Sequence, residues 1–212
     1  MSLIKYNDRS LRNLTTTPAA VTGNSPGALV HIKTLTASSS GTLSFVDGTD
    51  GVVLDSTYPI YQFEFINMHP ATSGGQLTIN FRDGGTAYDA TKTTTVFDAY
   101  QKEDGSAAAL GYNGSKDLAQ STSAQILTVD TINNNDASAS GIVTLYNPSS
   151  TTFVKHFIGD SQGMGDGSPP YSHRRMVAGY ANVTVAIDGV QFAMSSGNID
   201  SGTIKLYGIK DS

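Results

Sequence analysis

The chain has 212 residues, enough for one domain with a core of its own, and it contains no cysteine. That absence excludes disulfides, thiolate metal sites and a cysteine nucleophile. The net charge of −5, with only 15% charged residues, argues against a nucleic-acid-binding protein, which needs a basic surface. Ser, Thr, Asn and Gly supply the polarity, which favours short strands joined by turns over helices. No segment has the apolar length of a signal peptide or a membrane span, so we expect no membrane insertion.

Residues 1–27 differ from the rest of the chain, because they contain few large apolar side chains. The turn-forming strings Thr15–Pro18 and Ser25–Gly27 interrupt them. We interpret this segment as an extended N-terminal arm. It is either a frayed terminus or a tether that packs on a neighbouring subunit or a larger particle.

From residue 28 onward the side chains alternate with a period of two. Apolar and polar residues alternate in Val30–Lys33, Thr42–Phe45, Tyr61–Ile66 and Leu77–Arg82. Such alternation places one face of a strand on a core and the other in water, which is typical of antiparallel sheets.

The middle of the chain, residues 84–124, is less regular and rich in Gly, Ser and Asn. We predict an irregular insertion that leaves the sheet at this point. Within it, the composition of Ser106–Tyr112 is compatible with one turn of helix.

The second half returns to strand patterns. Short apolar strands are predicted at Ile142–Tyr146 and Phe153–Ile158, and a hairpin through Asp188-Gly189 is predicted to join Val183–Ile187 to Val190–Met194. With a last strand near the C-terminus, the total is about eight to ten strands. We therefore predict that residues 28–212 form a single all-β domain, an antiparallel β-sandwich of the jelly-roll kind.

Two motifs resemble catalytic loops but lack the required surroundings. Gly23–Gly27 matches the nucleophile-elbow pattern, yet Pro26 follows the serine and has no N–H to stabilise an oxyanion. Gly163–Gly167 resembles a phosphate-binding loop, but Ser168–Pro170 follows it where a helix should begin, so we interpret it as a loop between strands. No carboxylate pair suggests a glycosidase. We predict no enzyme, no catalytic residue and no cofactor.

Metal ligation has one weak signal. In the turn Asp47–Gly51 each aspartate is followed by a glycine, and carboxylates in a glycine turn suit calcium, but a plain turn explains the same residues. The histidines His31, His69, His156 and His173 lack metal-ligand spacing, so no metal site is predicted.

Ligand contacts are predicted from tyrosines in the irregular segments and from a small positive cluster. Exposed aromatic rings are what sugar binding requires, and the cluster would suit an acidic sugar or a neighbouring carboxylate. The selected residues are Tyr88, Tyr100, Tyr112, Tyr171, His173, Arg174 and Arg175.

The C-terminal run Gln191–Ile209, with its Ser195-Ser196-Gly197-Asn198 string and its Ser201–Ile209 stretch, carries a family resemblance. It resembles the ending of many marine and cyanobacterial bacteriophage proteins that are associated with virions. Val30–Gly41 and Phe153–Phe157 are similar to the same group. By itself, the string of turn residues predicts a hairpin or a sheet corner.

The resemblance implies a non-enzymatic structural protein of a virion, such as a capsid decoration, a head fibre, or a neck or tail component. Its expected partners are other virion proteins and further copies of itself, for example in a trimer. The alternative is a glycan-binding host-attachment module, such as a tail fibre or receptor-binding protein, because jelly rolls serve in lectins as well as in capsids.

Overall fold

The computed structural model describes residues 28–131 and 136–210, and within them the chain is all-β. None of these residues belongs to a helix that could cross a membrane. The predicted arm, residues 1–27, lies outside the described residues. The strands are β1 (Leu29–Ser40), β2 (Thr42–Val46), β3 (Ile60–Pro70), β4 (Leu77–Arg82), β5 (Lys92–Lys102), β6 (Ala108–Tyr112), β7 (Gln125–Ile126), β8 (Ala139–Tyr146), β9 (Lys155–Gly165), β10 (Tyr171–Ala181), β11 (Gly189–Met194) and β12 (Ile199–Ile209).

The strands form two antiparallel sheets. The larger has eight strands in the order β1-β12-β3-β8-β9-β10-β5-β6, and the smaller has four in the order β2-β11-β4-β7. Apolar side chains of both sheets meet in one core between them. The prediction of an all-β, antiparallel sandwich is confirmed.

In eight of the strands, early strands of the chain pair with late ones. In the larger sheet β1 lies beside β12, β12 beside β3, and β3 beside β8, while in the smaller sheet β2 lies beside β11, β11 beside β4, and β4 beside β7. We call these eight strands the framework. The other four, β9, β10, β5 and β6, lengthen the larger sheet beyond β8, and we call them the extension.

The framework core is aromatic. Phe45 of β2, Phe63 of β3 and Phe192 of β11 are fully buried. The rings of Phe45 and Phe63 meet edge to face with centroids 5.4 Å apart, and Phe192 lies 5.5 Å from Phe63. Such pairs add about 0.5–1.5 kcal/mol each beyond the burial of their area. The alternation seen in the sequence places these rings on one face of each strand.

The extension has a more polar interior. Its middle contributes apolar side chains to the core, but Lys92 and Lys155 at one end are fully buried. The Lys92 Nζ donates to the backbone oxygen of Ala90 at 2.6 Å and to Asn80 Oδ1 at 2.5 Å. The Lys155 Nζ donates to the backbone oxygen of Val185 at 2.6 Å. Each ammonium group therefore has protein acceptors in place of water.

The expectation for residues 84–124 is wrong in its main point. This interval contains β5 and β6, which belong to the larger sheet, and Ala108–Tyr112 is a strand rather than a turn of helix. All five residues of β6 are exposed on both faces, because the strand lies at the edge of the sheet and no described residue covers it. A strand with two exposed faces shows no apolar alternation, so its sequence resembles a loop.

The predicted hairpin through Asp188-Gly189 is also wrong. Residues 183–187 are not a strand, and β11 instead pairs with β2 and β4. Asp188 accepts a bidentate hydrogen bond from Arg82, with Nε to Oδ1 at 2.8 Å and the second nitrogen to Oδ2 at 3.0 Å. The Asp-Gly pair thus anchors the start of a strand in the middle of the smaller sheet.

The C-terminal motif is a sheet corner. Ser195–Asn198 carries the chain from β11 in the smaller sheet to β12 in the larger one. Gly197 has a φ of +69°, and a Cβ there would lie 2.3 Å from Thr72 Oγ1. Only glycine fits this position without displacing its neighbour.

Candidate functional site

An open pocket of about 520 Å³ lies on the extension. It is built by β5, β6 and β10, together with Asn113 at the end of β6. No framework strand contributes to it. Its lining residues are Asp98, Tyr100, Lys102, Ala109, Leu110, Gly111, Tyr112, Asn113, Tyr171 and His173.

The register between β5 and β10 brings the main side chains together. Residues that face each other across an antiparallel pair project to the same side of the sheet. Three such pairs follow one another here, namely Asp98 with Arg175, Tyr100 with His173, and Lys102 with Tyr171. These six side chains, spaced two residues apart along each strand, therefore form one continuous patch on the same face of the sheet.

Three rings form the aromatic part of the pocket. The Tyr100 and Tyr171 centroids are 5.8 Å apart, Tyr171 and His173 are 5.7 Å apart, and Tyr100 and His173 are 6.4 Å apart. Edge-to-face and tilted contacts of this length hold the rings against one another. The cluster therefore offers a preformed aromatic surface.

The Tyr171 ring packs against two glycines. A Cβ on Gly165 would lie 2.1 Å from the ring, and one on Gly167 would lie 2.9 Å from it. Part of the motif predicted to be a loop, Gly163–Gly165, is in fact the end of β9. The absence of side chains at these glycines is what allows Tyr171 to reach the pocket.

A buried ion pair supports the floor of the pocket. Arg175 donates to both carboxylate oxygens of Asp98 at 2.8 Å, and Asn113 Nδ2 donates to Asp98 Oδ2 at 2.7 Å. Arg175 also donates to the backbone oxygen of Thr128 at 2.5 Å. Burial alone would raise the pKa of Asp98, but the hydrogen bonds from Arg175 and Asn113 outweigh it and lower that pKa below its usual value. Asp98 is therefore a carboxylate at neutral pH.

His173 is buried without hydrogen bonds. Its exposed fraction is 8%, and neither ring nitrogen has a hydrogen-bond partner among the described residues. The Nε2 atom lies 3.4 Å from Asp98 Oδ1, close enough for electrostatic attraction. Burial nevertheless lowers the pKa of His173, with Asp98 opposing the shift. The ring is therefore neutral at pH 7, and both of its nitrogens are buried.

Four of the seven predicted contact residues lie in this pocket: Tyr100, Tyr112, Tyr171 and His173. The predicted positive cluster does not form, because Arg174 and Arg175 are neighbours on a strand and point to opposite faces. Arg174 is exposed on the outer face and pairs with Asp160, Nε to Oδ1 at 2.9 Å.

Arg175 points inward and is occupied by Asp98. Tyr88 lies elsewhere, beside Gly189, where a Cβ on that glycine would be 3.2 Å from the tyrosine ring.

Three polar pocket residues were missed by the sequence reasoning, Asp98, Lys102 and Asn113, and so were Ala109, Leu110 and Gly111 of β6. A signal for two of them exists, because Asp98, Tyr100 and Lys102 alternate with Phe97, Ala99 and Gln101 as the two faces of a strand do. The polar face here is the one directed at the interior.

The Asp47–Gly51 turn is held by its own hydrogen bonds. Asp47 Oδ1 accepts from the backbone N–H of Leu54 at 2.8 Å, and Lys33 Nζ donates to the backbone oxygen of Asp50 at 2.9 Å. Within residues 28–131 and 136–210, no three His, Asp or Glu side chains are grouped so that they could hold a metal ion.

Comparisons with protein-family models, with curated proteins and with solved structures gave no match to this chain.

Proposed function

We propose that the chain is a non-enzymatic structural protein of a bacteriophage virion and that its pocket makes it a glycan-binding host-attachment module. The pocket is the single observation that carries the second half of this proposal. The resemblance of the C-terminal run and the β-sandwich support the first half.

The strand order supports a jelly roll. In each sheet of the framework, the strand that comes first in the chain pairs with the one that comes last. The two strands that lie between them in the sequence pair with each other, beside the last strand. We infer a jelly roll of eight strands into which the pairs β5–β6 and β9–β10 have been inserted. Jelly rolls are common in capsid and lectin domains. A binding site built entirely on the inserted strands matches the rule that function is added to a fold.

The pocket suits a sugar in its size and chemistry. Its volume of about 520 Å³ lies within the usual range of ligand sites. Tyr100 and Tyr171 offer aromatic surface for the C–H face of a sugar ring, and Lys102 offers a hydrogen-bonding group beside it. An open pocket with aromatic walls also suits a chain end or a branch of a polysaccharide.

Self-association is supported by the outer face of the larger sheet. Phe97 lies opposite Tyr112 on one side and Met176 on the other, with 43%, 54% and 39% of these residues exposed. Ile142 and Ile158 are also exposed on this face. Contiguous apolar side chains of this kind mark interaction surfaces. Copies of the chain are the expected partner, for example in a trimer.

The proposal is tested first by location and then by binding. Gold-labelled antibodies should mark intact phage particles, and absence of label from any particle would contradict the virion assignment. On a glycan array, the protein should bind host surface glycans, and Tyr100→Ala should weaken binding at least tenfold, a loss of about 1.4 kcal/mol. Tyr180→Ala, at the other end of β10 and outside this pocket, is the matched control.

Catalysis is tested in the same samples. Incubation with the bound polysaccharide should release no reducing sugar, since Asp98 is the one carboxylate among the described residues that line the pocket. Sustained release of reducing ends would contradict the non-enzymatic assignment.

A further inference from the structure

We propose that the pocket binds an acidic sugar, with the carboxylate of the sugar held by Lys102 and its ring held by Tyr100 and Tyr171. This inference rests on the proposed glycan binding and specifies the class of glycan.

The acceptors of the pocket are already occupied. Both carboxylate oxygens of Asp98 accept hydrogen bonds from Arg175, and one of them also accepts from Asn113. Asn113 Oδ1 accepts from the Ser115 hydroxyl at 2.7 Å. A ligand that mainly donates hydrogen bonds would therefore find few partners.

One donor of the pocket is available to a ligand. Lys102 Nζ forms no ion pair within the described part of the chain, and its side chain lies on the pocket wall. His173 adds no second donor, because both of its ring nitrogens are buried and Nε2 lies 3.4 Å from Asp98 Oδ1. The ligand should therefore present acceptor oxygens.

The local charge points the same way. Arg175 neutralises Asp98, which leaves Lys102 as the one cation among the lining residues. Asp104 lies close enough to interact with Lys102, and Asp130 and Asp166 lie close enough to add to the effect of burial, which raises the pKa of Tyr171, but none of the three lines the pocket. Lys102 is therefore the group of the lining that attracts an anion, on a chain of net charge −5. A carboxylate is the strongest common acceptor for such a site.

These groups have the arrangement that an acidic sugar needs. Tyr171 and Lys102 face each other across the strand pair, and His173 lies two residues from Tyr171 on the same face. A pyranose ring stacked on the tyrosines would therefore place its carboxylate within reach of Lys102.

The test compares each acidic sugar with its uncharged counterpart. Calorimetry would measure binding of oligosaccharides of galacturonic acid, glucuronic acid and N-acetylneuraminic acid, each beside the same oligosaccharide with its carboxyl groups reduced to alcohols. At least one acidic form should bind tenfold or more tightly than its reduced form. Lys102→Met should abolish that difference, whereas Lys205→Met, on the outer face of β12, should leave it unchanged. An unchanged melting temperature would show that Lys102→Met is folded.

The outcomes separate the two proposals. Equal binding of acidic and reduced forms, or binding of neutral glycans alone, would overturn the acidic-sugar assignment and leave glycan binding intact. If neither form nor any array glycan binds, both proposals are overturned. A preference for the acidic form that survives Lys102→Met would also overturn the assignment, because the charge would then be read elsewhere.

Discussion

The framework and the extension bury different kinds of side chain. The framework core is packed with phenylalanine rings such as Phe45, Phe63 and Phe192, which need no partner beyond one another. The extension buries Lys92 and Lys155 at one end and the Asp98–Arg175 pair near the other. Buried charges add little net stability to a fold. The difference indicates that the framework supplies stability and that the extension carries charges for another purpose.

The two ends of the extension also differ from each other. At the lysine end, backbone carbonyls and Asn80 accept hydrogen bonds from every buried ammonium group. At the pocket end, the ring nitrogens of His173 have no such partner. Most buried polar groups in folded proteins have hydrogen-bond partners, so the two ends of the extension differ in a feature that is uncommon.

The largest effect is expected when the ion pair under the pocket is broken. Arg175→Met would leave the Asp98 carboxylate partly buried with Asn113 as its remaining donor and would remove the donor to Thr128. We expect the free energy of unfolding to fall by about 2–4 kcal/mol in urea titrations. The matched change Arg174→Met breaks an exposed pair on the same strand and should cost less than about 1 kcal/mol. Equal losses in the two variants would show that the buried pair has no special role.

A smaller effect is expected at the lysine end as the pH rises. Burial lowers the pKa of Lys92 from 10.5 to about 8. The unfolded chain keeps this proton to higher pH than the folded chain, so unfolding free energy rises with pH between these values, by about 2 kcal/mol from pH 7 to 9.5. Burial also lowers the pKa of Lys155, which adds to the rise.

Urea titrations across this pH range measure the effect. Lys92→Met should remove its share of the rise, whereas Lys205→Met should preserve it. A profile of Lys92→Met that is as steep as that of the unaltered chain would contradict the assignment of the rise to Lys92.

The smallest effect on stability is expected at His173. His173→Phe keeps an aromatic ring and removes two unpaired nitrogens, so the free energy of unfolding should change by less than about 1 kcal/mol. Urea titrations measure this change. At the other end, Lys155→Met would leave the carbonyls of Val183 and Val185 without their donor and should cost more. A large loss of stability in His173→Phe would show that the ring is structural.

The framework was predictable from sequence because its strands place one face on the core between the two sheets and the other face towards water. Leu77–Arg82 and Tyr61–Ile66 alternate for that reason, and both are strands of the structure. The extension escaped prediction because its interior is polar and its edge is uncovered. Asp98, Tyr100 and Lys102 face inward, and Ala108–Tyr112 faces water on both sides, so neither stretch shows an apolar period.

The site was predictable in part. Tyrosines in segments without apolar alternation were sound choices, because an aromatic ring outside the core pattern has no obvious packing role. The sequence could not show that Arg174 and Arg175 separate across a strand, because that follows only once β10 is assigned. It also could not show that Gly165 and Gly167 make room for Tyr171, since a glycine that accommodates a ring is indistinguishable in sequence from one that makes a loop.

The edge position of β6 bears on how recognition by this protein would evolve. Ala109, Leu110, Gly111 and Tyr112 form one wall of the pocket, yet the strand pairs with β5 alone and buries none of its residues. Substitutions or length changes in residues 103–113 would therefore reshape the wall while the core keeps its packing. For an attachment protein, such a hairpin is where a change of host range costs the least stability.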